Sequence, residues 1–209
     1  MEQIAAHNCI CQTCQKIFPV NDMMKCVLNL DEDSNLIDLF DSFQINRVVC
    51  PKCGNGFTFE IPMLVYSNTF RFAIYINPSP TPDKHYCSKP VPTWLINDYK
   101  HLRKCMYLAE AVEKYRIFRD GFNDKNIEYL KFCIFPDSNA LPFDEINLLY
   151  SHCNEFNLYF NKIDFNNNII DTYTVPKSKI HKIMQNTFFY EDENNWQNIN
   201  RLTIKDFIK

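Results

Sequence analysis

Glycine is nearly missing from this chain of 209 residues: three occur, at positions 54, 56 and 121. A phosphate-cradling loop needs several glycines close together, so the P-loop and the dinucleotide fingerprint are both excluded. No G-x-S-x-G or H-E-x-x-H pattern occurs, and His7, His85, His101, His152 and His181 are dispersed. No apolar run is long enough to span a bilayer. The opening residues, Met1 to His7, lack the basic stretch and apolar core of a signal peptide. Basic excess is lacking too. Lys and Arg number 22 against 25 Asp and Glu, for a net charge of −3 and a pI of about 5.9. The electrostatic footprint of a dedicated nucleic-acid binder is therefore not visible in bulk composition. The expected setting is cytoplasmic and away from membranes.

Cysteine, by contrast, is abundant, with ten residues. In a reducing compartment they read as thiols rather than disulfides. Four fall into two C-x-x-C pairs: Cys11-Gln12-Thr13-Cys14 and Cys50-Pro51-Lys52-Cys53. Each pair at a tight turn points both sulfurs at one centre. Pro51 presets φ for the second turn, and Gly54 lets the chain leave it in a left-handed conformation. Gln12 and Gln15 stand at the matching places of the first. Phe18 and Phe57 each follow four residues after the second cysteine of their pair, as lids over the sulfurs. Cys11, Cys14, Cys50 and Cys53 are thus expected to close a tetrahedral, structural Zn²⁺ site with no open position. Rubredoxin-type iron uses similar turns. A redox dithiol and four ordinary reduced cysteines are the other readings. Cys9 is an alternative ligand in place of Cys11. Cys26, Cys87, Cys105, Cys133 and Cys153 read as small apolar residues.

The fold class expected is α+β: an antiparallel sheet with a four-cysteine zinc-ribbon-like tip, a central helical segment, and C-terminal β-hairpins plus a helix. Two regions are drawn, 1–90 and 91–209, separated by a proline-rich strap over 77–92. In the first, Ser34 caps a short helix carrying Leu36, Ile37, Leu39, Phe40 and Phe43, which is expected to cover the metal-bearing sheet. Ile45 to Val49 feeds the second turn. Phe57 to Ile61, Met63 to Tyr66 and Phe70 to Ile76 read as strands. In the second, one helix is expected over 98–118, with Leu102, Cys105, Leu108, Ala109, Val112 and Tyr115 on its apolar face. Gly121 ends it, and Asn123 or Asp124 caps the next helix, which runs toward Pro136. These two make a helix-turn-helix over 98–135. Strands over 146–150, 156–163 and 169–175 and a helix over 178–188 fill 140–209, with a turn at Asn166-Asn167-Asn168 and Trp196 anchoring the tail.

The paired turns resemble the CpXC domain, a prokaryotic family named for two Cys-Pro-x-Cys motifs. The run Asn46-Arg47-Val48-Val49-Cys50-Pro51-Lys52-Cys53-Gly54 resembles the family's approach to its second motif. Met63-Leu64-Val65-Tyr66 is similar to the strand that follows. Leu108 to Lys114, Ile117 to Asp124 and Ile127 to Lys131 resemble its helix-turn-helix segment. The resemblance covers roughly residues 8–135. Gln12 departs from the pattern, since the family name demands proline there. The resemblance implies a cytosolic zinc-ribbon-type protein of uncharacterised role, with Cys11, Cys14, Cys50 and Cys53 as ligands and no catalytic residues.

Three functions follow from these readings. The first is a non-catalytic, structural-zinc module acting through protein contacts, with Tyr75, Trp94 and Tyr107 as exposed aromatic candidates. The second is a nucleic-acid-binding zinc ribbon, with a basic patch of Lys16, Arg47, Lys52 and Arg71. The third is an enzyme with a cleft between the two halves. Its candidate acids are Glu110, Glu113, Asp120, Asp124 and Glu128, which read more simply as helix caps and terminal charges.

Overall fold

In a computed structural model of the chain, the described residues are 7–20, 24–32, 34–59, 61–78, 99–134, 146–164, 168–185, 187, 189, 196–199 and 203–208. They form an α+β architecture of eleven strands and four α-helices. Two short antiparallel hairpins carry the cysteine pairs. β1 (His7–Ile10) pairs with β2 (Ile17–Val20), and β4 (Arg47–Val49) with β5 (Gly56–Thr58).

Between and after the hairpins lies a four-stranded sheet. β3 (Val27–Asn29) runs parallel to β6 (Met63–Ser67), β6 antiparallel to β7 (Phe72–Ile76), and β7 parallel to β8 (His101–Cys105). The sheet is mixed, where alternation alone suggested an antiparallel one. Parallel neighbours need a crossover, and the β3–β6 crossover contains α1 (Ser34–Asp41) and the whole second hairpin. Phe72, Ile74 and Ile76 face the main core from β7, while Ala73 joins Leu64, Leu102 and Tyr99 on the other side. Trp196 packs there too, edge-on to Tyr75, which docks the tail onto the sheet. Phe70 lies in the turn before β7 and is exposed.

β8 replaces the first part of the helix expected over 98–118. Leu102, Cys105 and Leu108 keep helical spacing, but Tyr107 is extended (φ −124°, ψ 151°) and breaks the run. Leu102 and Cys105 belong to the strand, completing the edge that β7 offers. The helix proper is α2 (Leu108–Arg119). Ten of its twelve residues are buried, so it is enclosed all round rather than amphipathic. It packs against β7 and β8, against α1, and against the helix and sheet that follow. Gly121, at φ 77°, closes it. The Gly121 N–H donates to Phe118 O and the Phe122 N–H to Ile117 O, a Schellman ending. The side chain of Asn123, rather than that of Asp124, then caps α3 (Asp124–Ile134) by accepting the Lys125 N–H at 2.9 Å.

α1 does not cover the cysteine hairpins. Its Phe40 is fully buried in the main core, edge-to-face with Tyr115 of α2. Arg116 fastens the helix end: its Nε reaches Asp41 Oδ1 and its Nη2 the Asp41 carbonyl, both at 2.6 Å. A cation there also complements the helix dipole. The boundary drawn at 90/91 falls outside the described residues, as do Trp94 and most of the proline strap. Across that boundary β8 bonds to β7, and one core cluster holds residues from both sides.

The C-terminal strands form a second, antiparallel sheet. β9 (Ile146–Cys153) pairs with β10 (Asn157–Asp164), and β10 with β11 (Ile169–Pro176), followed by α4 (Lys177–Met184). Asn168 closes the β10–β11 turn against Asp164; Asn166 and Asn167 lie outside the described residues. β9 is an edge strand, and an edge leaves backbone groups unpaired. Two buried side chains each satisfy one of them. Glu113 Oε1 accepts the Tyr150 N–H at 2.6 Å, and Lys131 Nζ donates to the Leu148 carbonyl at 3.2 Å. Glu113 and Lys131 pair with one another at 2.7 Å. The helical layer therefore acts as the missing neighbour of β9. Lys131→Met should leave Glu113 buried without this cation and cost on the order of 3–5 kcal/mol, read by urea unfolding. Adding Glu113→Gln should recover part of that loss, since a neutral amide oxygen still accepts the Tyr150 N–H.

Candidate metal centre

The two hairpins present their cysteines with the same local geometry. In the first, the Cys11 N–H donates to Lys16 O and the Gln15 N–H to Cys11 O, both at 2.9 Å. In the second, the Cys50 N–H donates to Asn55 O and the Gly54 N–H to Cys50 O, at 2.8 and 2.9 Å. Gly54 takes φ 72° and Gln15 takes φ 58°, so glutamine adopts the left-handed place that glycine fills in the second turn. Gln12 forms its turn without proline.

Four sulfurs converge. One from each of Cys11, Cys14, Cys50 and Cys53 lies within 4.8 Å of all the others. The close contacts run across the hairpins, Cys11 to Cys53 and Cys14 to Cys50, each at 3.6 Å. A disulfide needs about 2.05 Å. Four thiolates about 2.3 Å from a tetrahedral ion sit roughly 3.8 Å apart. The spacing suits one shared ion. A redox dithiol would need only the two sulfurs of one motif, whereas here sulfurs of different motifs are in contact. These four cysteines can hold a metal ion. Cys9 is buried beside them, paired in register with Phe18, and stands outside the four-sulfur group.

Backbone amides aim at the sulfurs. The Cys14 N–H, with that of Thr13, brings the Cys11 thiol down to about 6 against the effect of burial. Burial would raise Cys50, but the Cys53 and Lys52 N–H groups outweigh it and lower that thiol. Cys53 is lowered by the Asn55 N–H, yet burial and the neighbouring sulfurs prevail and push it up to about 12. Phe18 and Phe57 meet edge-to-face, 6.3 Å between centroids, and pack with Val20, Val48 and Phe59 around the cysteines. A dry, apolar wall of this kind slows ligand exchange. Asn55 Nδ2 donates to Thr13 Oγ1 at 2.7 Å, tying one turn to the other.

Asn46 was not singled out for a structural role by its sequence. Its side chain accepts the Lys25 N–H at 2.7 Å and donates to the Lys25 carbonyl at 3.1 Å, as a strand neighbour would. It sits at φ 58°, where asparagine is tolerated better than most residues. Asn46 thereby fixes where the chain leaving the first hairpin passes the start of the second.

The acidic residues around the α2–α3 turn are not a solvated fringe. Arg103 of β8 holds both oxygens of Asp124, at 2.6 and 2.8 Å. Lys114 Nζ lies 2.5 Å from Glu128 and 3.6 Å from Asp124. Lys131 reaches Glu113 at 2.7 Å and Glu128 at 2.8 Å. All are buried. Burial alone would raise Asp124, but Arg103 and Lys114 hold it well below the usual carboxylate range. The ammonium groups occupy the positions where a divalent cation would have to sit. Asp120 stands apart, accepting the Tyr150 hydroxyl at 2.7 Å and pairing with Arg119. A small cavity lined by Ile45, Asn46, Phe59, Met63, Ile76 and Leu108, among others, contains none of these carboxylates. The structure brings the five acids to one layer and matches four of them to cations; Glu110 has no such partner at ion-pair distance among the described residues. Among the expected aromatic contacts, Tyr75 and Tyr107 are half-buried.

Fold and site together define an α+β protein with two cysteine-bearing hairpins and a four-sulfur cluster. The model of the CpXC protein family matches residues 9–131. That is more than half of the chain, and the chain belongs to the CpXC family. Comparison with curated proteins and with solved structures gives no match to either. Among the described residues no helix is long and apolar enough to cross a membrane.

Glu110 is the odd member of the buried layer. Glu113, Asp124 and Glu128 are matched by Arg103, Lys114 and Lys131, while among the described residues Glu110 Oε2 accepts only the Met106 N–H, at 3.0 Å, and Oε1 has no hydrogen-bond partner. Burial raises it to about 7; Glu128 and Glu113 add to the rise, and Lys114 and the Met106 N–H oppose it. The folded state thus keeps a proton that the unfolded chain releases near pH 4.5. Stability should fall as pH rises from about 4.5 to about 7 and level off above that. Glu110→Gln should abolish this part of the fall and be more stable at pH 8, by up to roughly 3 kcal/mol. Chemical unfolding of both proteins across that range is the check.

Proposed function

We propose that Cys11, Cys14, Cys50 and Cys53 bind one structural zinc ion, and that the protein is a non-catalytic cytoplasmic module working through contacts with another protein. The observation that carries this reading is the convergence of four sulfurs from two matching turns within 4.8 Å. Four thiolates complete a tetrahedral shell, which leaves no position for a substrate or an activated water. Zinc supplies folding energy in such a site, on the order of 10–16 kcal/mol of apparent binding free energy in small zinc domains. The hairpins need it: strands of three or four residues in two-stranded pairs are marginal alone. Family membership supports the same ligand set. It also supports a prokaryotic origin.

A nucleic-acid ligand is the second reading. It draws on Lys16, Arg47 and Lys52 being exposed on the two hairpins, although Arg71 belongs to the turn before β7 rather than to them. Binding to DNA or RNA that weakens steeply with salt would favour it.

Metal content of the protein purified without added metal should be close to one zinc per chain. Cys50→Ser should lose the ion and the order of both hairpins, while the core around α2 keeps its helical circular dichroism. A metal-free wild type whose hairpins remain ordered would overturn the reading.

A further inference from the structure

The two hairpins differ in charge from the buried helical layer. The hairpins themselves, 7–20 and 44–59, carry Lys16, Arg47 and Lys52 and no aspartate or glutamate, and Lys25 lies in the segment that leaves the first; Asp22 and Glu60 are the acids nearest to them in sequence. The chain as a whole has a net charge of −3, so these cations gather against the trend. All four are exposed, and none forms an ion pair among the described residues. In the helical layer Arg103, Lys114, Arg116, Arg119 and Lys131 each face a carboxylate.

The same hairpins also expose aliphatic side chains. Ile10 and Ile17 stand directly opposite one another across β1 and β2, 55% and 56% exposed. Val49, at 58%, holds the matching place in the second hairpin, immediately before its first cysteine. Strand alternation explains the geometry: Cys9, Phe18 and Val48 point inward, so Ile10, Ile17 and Val49 must point out. It does not explain the residue type, since an outward strand position facing water is ordinarily polar. Phe18, Phe57 and Phe59, the aromatic residues of the unit, turn toward the cysteines.

We propose that the outer surface of the hairpins, centred on Ile10, Ile17 and Lys16, docks an acidic protein segment that carries aliphatic side chains. Arg47, Val49 and Lys52 supply the same chemistry on the second hairpin. Charge complementarity selects the sign of the partner, because exposed cations that pair with no carboxylate among the described residues can meet carboxylates of another chain. The exposed isoleucines and valine select a protein over a single-stranded nucleic acid. Bases bind by stacking on exposed aromatic rings, and here the rings face inward. This deepens the protein-contact reading and rests on it.

The test is a random-peptide display selection against the metal-loaded full chain. The enriched peptide, made synthetically with a fluorescent label, is then titrated against wild type, Lys16→Glu/Lys52→Glu and Ile10→Ser/Ile17→Ser. A short single-stranded RNA is titrated in parallel. Metal content is measured on every sample, and Lys16→Glu alone serves if a double variant loses its ion. The enriched peptides should combine acidic and aliphatic residues. Each double variant should weaken binding by about tenfold or more with metal content unchanged. Added salt should weaken wild-type binding. A selection without an acidic consensus overturns the proposal, as does binding indifferent to the variants, a preference for RNA over the peptide, or self-association through this surface. A sample without metal would instead count against the structural-zinc reading, so the two failures are distinguishable.

Discussion

Four sulfurs brought within 4.8 Å bring residue 11 to residue 53, and the two cysteine hairpins are held to one another around that cluster. The two hairpins bury only a small cluster between them, with Phe18, Val20, Val48, Phe57 and Phe59 around the cysteines. One side-chain hydrogen bond, Asn55 to Thr13, joins the turns directly. Asn46 holds Lys25 in place behind them. Such a unit has too few strand contacts to persist by backbone pairing alone. An ion at the centre would join both turns at once, and the mirrored N–H groups aimed at Cys11 and Cys50 prepare the sulfurs for it.

The rest of the chain is organised differently, around a helix with no solvent face. α2 lies between two sheets and carries Glu110, Glu113 and Lys114 into the interior. Charges so placed need partners, and β8 and α3 supply them to Glu113 and Lys114 through Asp124, Glu128 and Lys131, with Arg103 holding Asp124, while Glu110 is left without a cation among the described residues. Part of this network does structural duty by satisfying the open edge of β9. The arrangement fixes the depth and rotation of α2, because a shift along its axis would strand several buried charges together. Apart from Glu110, charge is matched inside the molecule, while among the described residues the cations of the hairpins face no carboxylate, and aliphatic side chains are exposed beside them.

Much of this was legible in the sequence, for reasons that differ by element. The cysteine turns were readable because C-x-x-C spacing, Pro51, Gly54 and the following phenylalanines each have a local cause. The left-handed cap at Gly121 and a cap at Asn123 or Asp124 were readable for the same reason. β8 was not, because Leu102, Cys105 and Leu108 happen to keep helical spacing and only the neighbouring strand decides otherwise. The buried ion pairs were not either. A charged residue on a predicted helix face looks solvated until a second sheet is known to cover that face, and Lys114 and Glu113 gave no local sign of it. The parallel pairings of β3 with β6 and of β7 with β8 are likewise set by tertiary neighbours, not by alternation. Asn46 could have been noticed: an asparagine placed just before a strand and next to Arg47 is a residue type suited to a left-handed backbone.

X-ray absorption at the metal edge of the purified protein reads the four-sulfur shell itself. The account predicts four sulfur scatterers at about 2.3 Å and no nitrogen or oxygen in the first shell. A shell containing a light-atom ligand, or fewer than four sulfurs, would contradict it. The site would then have an open position, and catalysis at the ion would become the reading to pursue.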